Sequence, residues 1–405
     1  MASTSCNDLA EQLLASCLTG ERWPDDLLRQ LASPACSDSL FRVVVERLAD
    51  LFEPRLCDIY AAMFSELIAH AIPDLRAQDL LARYQRIRRP CALAADPKIV
   101  FILSRVTLGA DVAVTSVILA AAKRRFPRAR IVLAGSRKSW ELFAGDPRIE
   151  HTPVIYQRSG SVADRLAPWL GLQKLLSEPG SIVLDPDSRQ TQLGLLPVCA
   201  EENYRFFESR AYGGDGEDPL PVLSARWANE ILGIPDAAPW IAPARTIEIP
   251  GHPLITMSLG VGENPAKRIA DPFEEQLVGH IAETGAYVLI DEGAGGEEAE
   301  RVARAIANCG ARSARVRTFR GSFADFASAI AQSDLYVGYD SAGQHVAAAC
   351  AVPLLSVFAG YPSPRFFSRW RPWGKAKIEV VKAGPEVLPL QVFERTVESL
   401  ARVLA

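Results

Sequence analysis

Three short stretches of this chain hold residue types that can do chemistry together. The first, YVGYDSAGQHVAAACAVPLLSVFAG (336–360), ends an apolar run at Asp340 and then starts a helix of alanines. A helix N-terminus leaves backbone N–H groups unpaired and carries roughly half a positive charge. Ser341, Ala342 and Gly343 are small enough for a diphosphate to approach the amides of Ser341 through Gln344. His345, one of five histidines, lies about one turn in and can donate a hydrogen bond to a phosphate oxygen. A tight structural turn beside a core histidine reads the same stretch equally well.

The second stretch is SLGVGENPAKRI (258–269), with Gly260, Gly262 and Lys267. Backbone N–H groups in a glycine-rich turn together with a lysine make an anion site. The spacing is not that of a Walker A loop, and a surface turn with solvated charges stands as the alternative. The third is SRVTLGADVAVTS (104–116), where Gly109 would admit another molecule close to the backbone. Asp111 stands at a helix opening. It is either an N-cap, satisfying free N–H groups, or a carboxylate at a cleft edge able to take a proton from a hydroxyl.

The elements around these stretches fall into three zones. Residues 1–95 place apolar residues at helical spacing in five segments and show no strand pattern, so an all-helical N-terminal domain is expected. It would pack on the rest of the chain, or bind a partner or a second copy. From residue 96 the period changes: KIVFIL, a helix over DVAVTSVILAAAKRRF, and ARIVLAG form a βαβ unit, with GSIVLD a further strand. A Pro- and Gly-rich stretch, 212–253, reads as a linker holding a helix around 224–232. A second series of strands and helices follows, with strands in LITMSLG, AYVLIDEG, DLYVGYD and PLLSVFAG, and an amphipathic tail ends the chain. The expected fold class is α/β, with two Rossmann-like lobes (96–240 and 251–383) facing a cleft and a terminal helix at 384–405. In open α/β sheets ligands sit beyond the carboxyl ends of the strands, which is where all three stretches fall.

Composition bounds the rest. The 405 residues suit two or three domains, with 49% hydrophobic and 23% charged residues. A net charge of −4 gives no global basic field for nucleic acid. Met1–Cys17 has no basic n-region or apolar h-region, and apolar runs break within about a dozen residues, short of the roughly 20 a membrane span needs. A cytoplasmic protein is expected. The eight cysteines form no C-x-x-C pair and no metal-ligand spacing with histidine, so free thiols and no metal site are expected. Arg124, Arg125, Arg128, Arg130, Arg137 and Lys138 crowd the first βαβ unit, as a solvated face or as a contact for an anionic acceptor or membrane surface.

Taken together the three stretches resemble glycosyltransferase family 9, the heptosyltransferases of lipopolysaccharide core assembly. The family pattern Asp-Ser/Thr-Gly-x-x-His-x-Ala-Ala, followed by a proline-led strand ending in Phe-Gly, is similar to DSAGQHVAAACAVPLLSVFAG. A Pro-x-Arg-Trp-like element is similar to YPSPRFFSRWRPWG (361–374), and KIVFILSRVTLGADVAVTSVILAAAKRRFPRARIVLAG resembles the family's opening. The likeness covers about 96–405. Gly-Asp of the family stands here as Gly109-Ala110-Asp111, and residues 1–95 have no counterpart.

The resemblance implies a GT-B fold and an inverting, metal-independent transfer of a heptose or hexose from a nucleotide-diphosphate sugar to a glycolipid or other glycan. By the same likeness Asp111 would be the general base and Lys267 would neutralise the leaving diphosphate. The amides of Ser341, Ala342, Gly343 and Gln344, with His345, would hold it, and Asp340 would face the donor sugar. Gly321, Ser322 and Phe323 would line the nucleotide pocket. No cofactor beyond the sugar nucleotide is implied, and peripheral contact with the inner membrane face is compatible with a lipid-borne acceptor. Two other readings remain: a sugar-nucleotide epimerase or hydrolase of the same fold, and a transferase-like binding module without turnover.

Overall fold

The computed structural model describes residues 5–404 except 90, 92, 94, 95, 263 and 294. Two all-parallel sheets organise it. The first has β1 (Ile99–Leu103), β2 (Arg130–Gly135), β3 (Ile149–Pro153), β4 (Ser181–Asp185) and β5 (Tyr204–Phe206), in the order β3-β2-β1-β4-β5. The second has β6 (Leu254–Ser258), β7 (Tyr287–Asp291), β8 (Val316–Phe319), β9 (Leu335–Tyr339), β10 (Leu354–Ala359) and β11 (Ile378–Ala383), in the order β11-β10-β9-β6-β7-β8. Every residue of β1, β4, β6, β9 and β10 is buried. Such continuous apolar strands are what parallel sheets covered on both faces require.

Strand order reverses between β1 and β4 in the first sheet and between β6 and β9 in the second. Residues beyond the carboxyl ends of strands at such switch points form the usual ligand crevice. The stretches 104–116, 258–269 and 340–345 directly follow β1, β6 and β9, so topology places all three there. The α/β class and the two-lobed arrangement behind a helical N-terminal region are as the sequence implied.

Four strands that the sequence pattern does not announce lie toward the sheet edges. β3, β8 and β11 mix buried with half-exposed or exposed residues, and β5 has three residues. The helix between the lobes spans Leu220–Leu232, four residues earlier than its apolar pattern suggested, because Pro219 caps it and Pro221 fits its first turn.

The helical zone comprises Cys6–Thr19, Asp25–Leu31, a continuous run over 37–50, Pro54–Ala71 and Ala77–Ile87. It covers one face of the first sheet. Ile99, Phe101 and Leu103 of β1 share a single apolar cluster with Leu13, Leu31, Phe64 and Ile68. The alternate residues Val100 and Ile102 point the other way, as strand period 2 dictates. They join a cluster that crosses to the second lobe through Val112, Leu254, Tyr336 and Phe358. Polar ties reinforce the packing: Arg83 Nη1 donates to Gly194 O at 2.6 Å, and Arg88 Nε to Glu208 Oε2 at 2.8 Å. The helical zone is therefore a layer of the first lobe's core. The terminal helix Pro389–Leu404 buries Val392, Leu400 and Val403 against the second sheet.

Cys6 and Cys36 are joined by a disulfide, which corrects the expectation of free thiols for that pair. The sequence could not show it, because the two lie 30 residues apart and meet only once the helices pack. Among the described residues no helix is long and apolar enough to cross a membrane.

Candidate active site

The second-lobe junction gathers most of the expected residues. Lys267 Nζ donates to Asp340 Oδ2 at 2.6 Å and to Asp340 O at 3.3 Å. Gln344 donates to the other oxygen of Asp340, and its own carbonyl oxygen accepts from Ser356 Oγ at 2.6 Å. The Lys267 loop is pinned by Gly360, whose left-handed φ of 61° brings it so close to Ala266 that a Cβ would lie 2.3 Å from the Ala266 carbonyl oxygen. Any side chain there would push the lysine out of place.

The helix Ala342–Ala349 begins beside this pair. Ser341, at its N-cap, makes no side-chain bond to the first turn. Ser322, Ser363 and Ser161 each cap their own helices. Gly343 is required from below: a Cβ would come within 2.2 Å of the Tyr336 hydroxyl, which holds the helix start close over β9. Its smallness thus serves packing first. His345 is 5% exposed and tilted against Trp370, with ring centres 6.0 Å apart. Burial, and secondarily Lys267, pull its pKa down to about 4 against the pull of Asp340, so the imidazole is neutral at pH 7 and offers one N–H. Gly262 takes a left-handed turn with open space around it, whereas the space beside Gly260 is filled by the Glu298 carboxylate.

The first-lobe junction is built differently. The helix over 108–125 opens into a π turn across Asp111–Thr115, and Asp111 is fully buried within it. Ser104 Oγ donates to Asp111 Oδ2 at 2.7 Å. The Arg105 backbone N–H donates to Oδ1 at 2.8 Å, and Thr115 Oγ1 to the same oxygen at 2.7 Å. Burial pushes the carboxyl up from its ordinary pKa, while these hydrogen bonds favour the charged form. Asp111 ties the loop after β1 to its helix. Gly109 meets the boundary between lobes: a Cβ there would lie 3.4 Å from Ala342 Cα and 3.4 Å from His345 Cδ2. The two helix starts are in van der Waals contact across that boundary.

Other expected residues divide. Ser322 accepts from Asp325 N at 3.1 Å as an N-cap, with exposed Gly321 before it and half-buried Phe323 after it. Four of the six crowded basic residues pair with carboxylates: Arg124 with Asp236, Arg125 with Asp96, Arg130 with Glu150 and Arg137 with Glu141. That is the pattern of a solvated face. Among the described residues no group of three His, Cys, Asp or Glu could hold a metal ion. Asp187, the second acid of the Asp-Pro-Asp after β4, pairs instead with Arg210.

Residues that sequence reasoning passed over also converge here. The Arg105 guanidinium lies 5.7 Å from the Trp370 ring centre and donates to Ser209 Oγ at 2.8 Å. Burial lowers its pKa to about 10. Phe52, from the helical zone, meets Phe366 and Trp370 edge to face, with ring centres 6.2 and 6.3 Å apart. A phenylalanine amid helical-period residues carries no signal that it reaches another lobe.

This architecture is the two-lobed GT-B fold. Residues 262–392 match the model of glycosyltransferase family 9 (heptosyltransferase), and the chain resembles that family as its motifs implied. Among solved structures it is similar to the glycosyl transferase family 9 protein of Veillonella parvula DSM 2008, at 16% identity and TM-score 0.54, covering 78% of this chain and 99% of that one. It is similar to E. coli ADP-heptose lps heptosyltransferase II at 18% identity and TM-score 0.52, covering 76% and 99%. Against E. coli heptosyltransferase WaaC with ADP-2-deoxy-2-fluoro heptose the values are 17% and 0.57, covering 76% and 100%. No curated protein matches the chain by sequence.

Proposed function

We propose that the protein is an inverting glycosyltransferase that moves a heptose or hexose from a nucleotide-diphosphate sugar to a glycolipid, lipopolysaccharide-like or other glycan acceptor. The observation that carries this reading is the junction after β9. There a helix start uncapped by its serine stands beside Lys267, inside the segment that matches the family model. The ADP and ADP-2-deoxy-2-fluoro heptose named for similar structures support an adenosine diphosphate sugar as donor.

A nucleoside diphosphate leaves as an anion. Fixed N–H dipoles and a lysine are worth most where that charge grows, in a site that excludes water. Lys267 would turn from Asp340 toward the phosphates, and neutral His345 would donate its N–H. Asp340, freed of the lysine, would face the sugar. Because Gly109 now touches Ala342 and His345, donor entry needs the first-lobe helix start to back away, and closing again would assemble the site.

Thermal denaturation with a panel of nucleoside diphosphates and nucleotide sugars tests the reading, since a ligand that binds only the folded state raises Tm. A rise with ADP or ADP-heptose, and nucleotide release that accelerates with a glycan acceptor, is expected. No rise with any nucleotide refutes it. A rise without release under any acceptor would instead favour a binding module, the reading that the enclosed Asp111 supports.

A further inference from the structure

The loop after β4 is strained and unsatisfied in the same place. Among the described residues, three of the six non-glycine residues with left-handed backbone fall in it: Asp187 (φ 69°), Gln192 (φ 48°) and Leu193 (φ 58°). Such backbone persists only where its surroundings enforce it, and it collects at ligand sites. The enforcing frame is Asp185 at the end of β4, whose carboxylate accepts from Ser188 N at 2.7 Å and Thr191 Oγ1 at 2.5 Å. Held this way, Gln190 and Gln192 line a cleft of about 300 Å³, open to solvent. Its other walls are the residues that follow β3 and the helices Val162–Leu166 and Trp169–Leu176.

Both amides are buried, Gln190 at 9% exposed and Gln192 at 1%. Yet neither Oε1 has a hydrogen-bond donor among the described residues. An unpaired buried acceptor is costly in a folded chain and calls for an explanation. Gln190 is fixed from its other end, Nε2 donating to Ala134 O at 3.1 Å and to Ser104 O at 3.3 Å, so its carbonyl cannot swing away to find a donor. Between the two stands Arg189, half-exposed, whose guanidinium reaches the Tyr60 hydroxyl at 3.4 Å and pairs with no carboxylate among the described residues. Tyr156, Leu166 and Trp169 add aromatic and aliphatic wall.

Two fixed carbonyl acceptors, a guanidinium and an apolar wall fit a ring that carries several hydroxyl donors. An anion alone would meet the carbonyl oxygens unfavourably, and a lipid tail would leave them unpaired. We infer that this cleft is a sugar subsite, in which Gln190 Oε1 and Gln192 Oε1 accept from hydroxyls of one glycosyl unit of the acceptor, an assignment that rests on the glycosyltransferase reading above. The cleft is narrow, so it takes the hydroxyl-bearing edge of a ring and leaves the rest of the glycan outside. All its lining residues belong to the first lobe, apart from the junction after β9 that holds the donor candidates. Gln190 also ties the subsite to the boundary between lobes. Ser104, whose carbonyl it meets, holds Asp111 in the loop that carries Gly109.

The test is calorimetric titration of the full-length protein with the deacylated oligosaccharide of heptose-deficient lipopolysaccharide and with a panel of methyl glycosides. Gln192→Leu keeps the bulk and removes the unpaired carbonyl. It is expected to weaken saccharide binding about 10-fold, to leave the rise in Tm with ADP as in the wild type, and not to lower the Tm of the free protein. A glutamine that only supports the fold would do the reverse, lowering Tm at unchanged affinity, and that result overturns the assignment. Arg189→Met, at a half-exposed position, is the second arm should Gln192→Leu fold poorly. A loss of about 10-fold is expected there too, and wild-type affinity overturns the subsite. A wild type that binds ADP but no saccharide overturns the subsite and leaves the transferase reading standing. One that binds no nucleotide overturns that reading, and the subsite with it.

Discussion

The junctions after β1 and after β9 occupy equivalent places, each at the switch point of its sheet and each opening a helix, yet they present their polar groups in opposite senses. After β9 the groups face one another at the boundary: Lys267 on Asp340, Gln344 on Asp340, and His345 against Trp370. After β1 the carboxylate points into the lobe and is consumed by Ser104, Arg105 and Thr115. One residue of offset separates Asp111 from Ala110. On a helix of 3.6 residues per turn that is a rotation of roughly 100°, enough to change which neighbours a side chain meets. Position in a fold nominates a site; the rotation of single residues decides whether the site holds chemistry.

The largest effect that would sharpen this contrast is on stability. Asp111→Ala leaves three buried donors without an acceptor and is expected to cost about 3 kcal/mol in urea denaturation. A loss below about 1 kcal/mol would mean that the carboxylate is not the anchor of its loop. On the other side, Lys267→Met is expected to weaken ADP binding roughly 30-fold, the worth of about 2 kcal/mol in charge-assisted contacts. Calorimetry reads it directly, and unchanged affinity would erase the proposed difference between the junctions.

The third effect concerns pH. His345 has a folded pKa of about 4, lowered from 6.5, so between those values the unfolded chain binds more protons than the folded one. The stability this histidine confers is complete above pH 6.5 and is lost as pH falls toward 4, at up to about 1.4 kcal/mol per unit. His345→Gln should flatten the stability profile across that window relative to the wild type. An unaltered slope would show that the ring is solvated, and hence that the second junction is open where the structure has it closed.

What the sequence made legible follows from local signals. Central strands are continuous apolar runs because both faces are covered, and small residues after β9 mark a close helix approach, so the two lobes and the 336–374 block could be read directly. Edge strands such as Val316–Phe319 alternate too weakly to register. Asp111 could be nominated but not oriented, since its partners Ser104 and Thr115 are ordinary residues until the π turn brings them together. Phe52 was invisible for a further reason. Its meaning depends on contacts with Phe366 and Trp370, more than 300 positions away, and nothing in a helical period encodes which end of a bundle meets a distant loop.

The most direct test of the account is a crystal structure of the protein with ADP. It should show the diphosphate against the amides of Ala342–Gln344, with Lys267 Nζ withdrawn from Asp340 to a phosphate oxygen and Gly109 moved off His345. A diphosphate seated elsewhere, with Lys267 still paired to Asp340 and Gly109 still packed on His345, would contradict it.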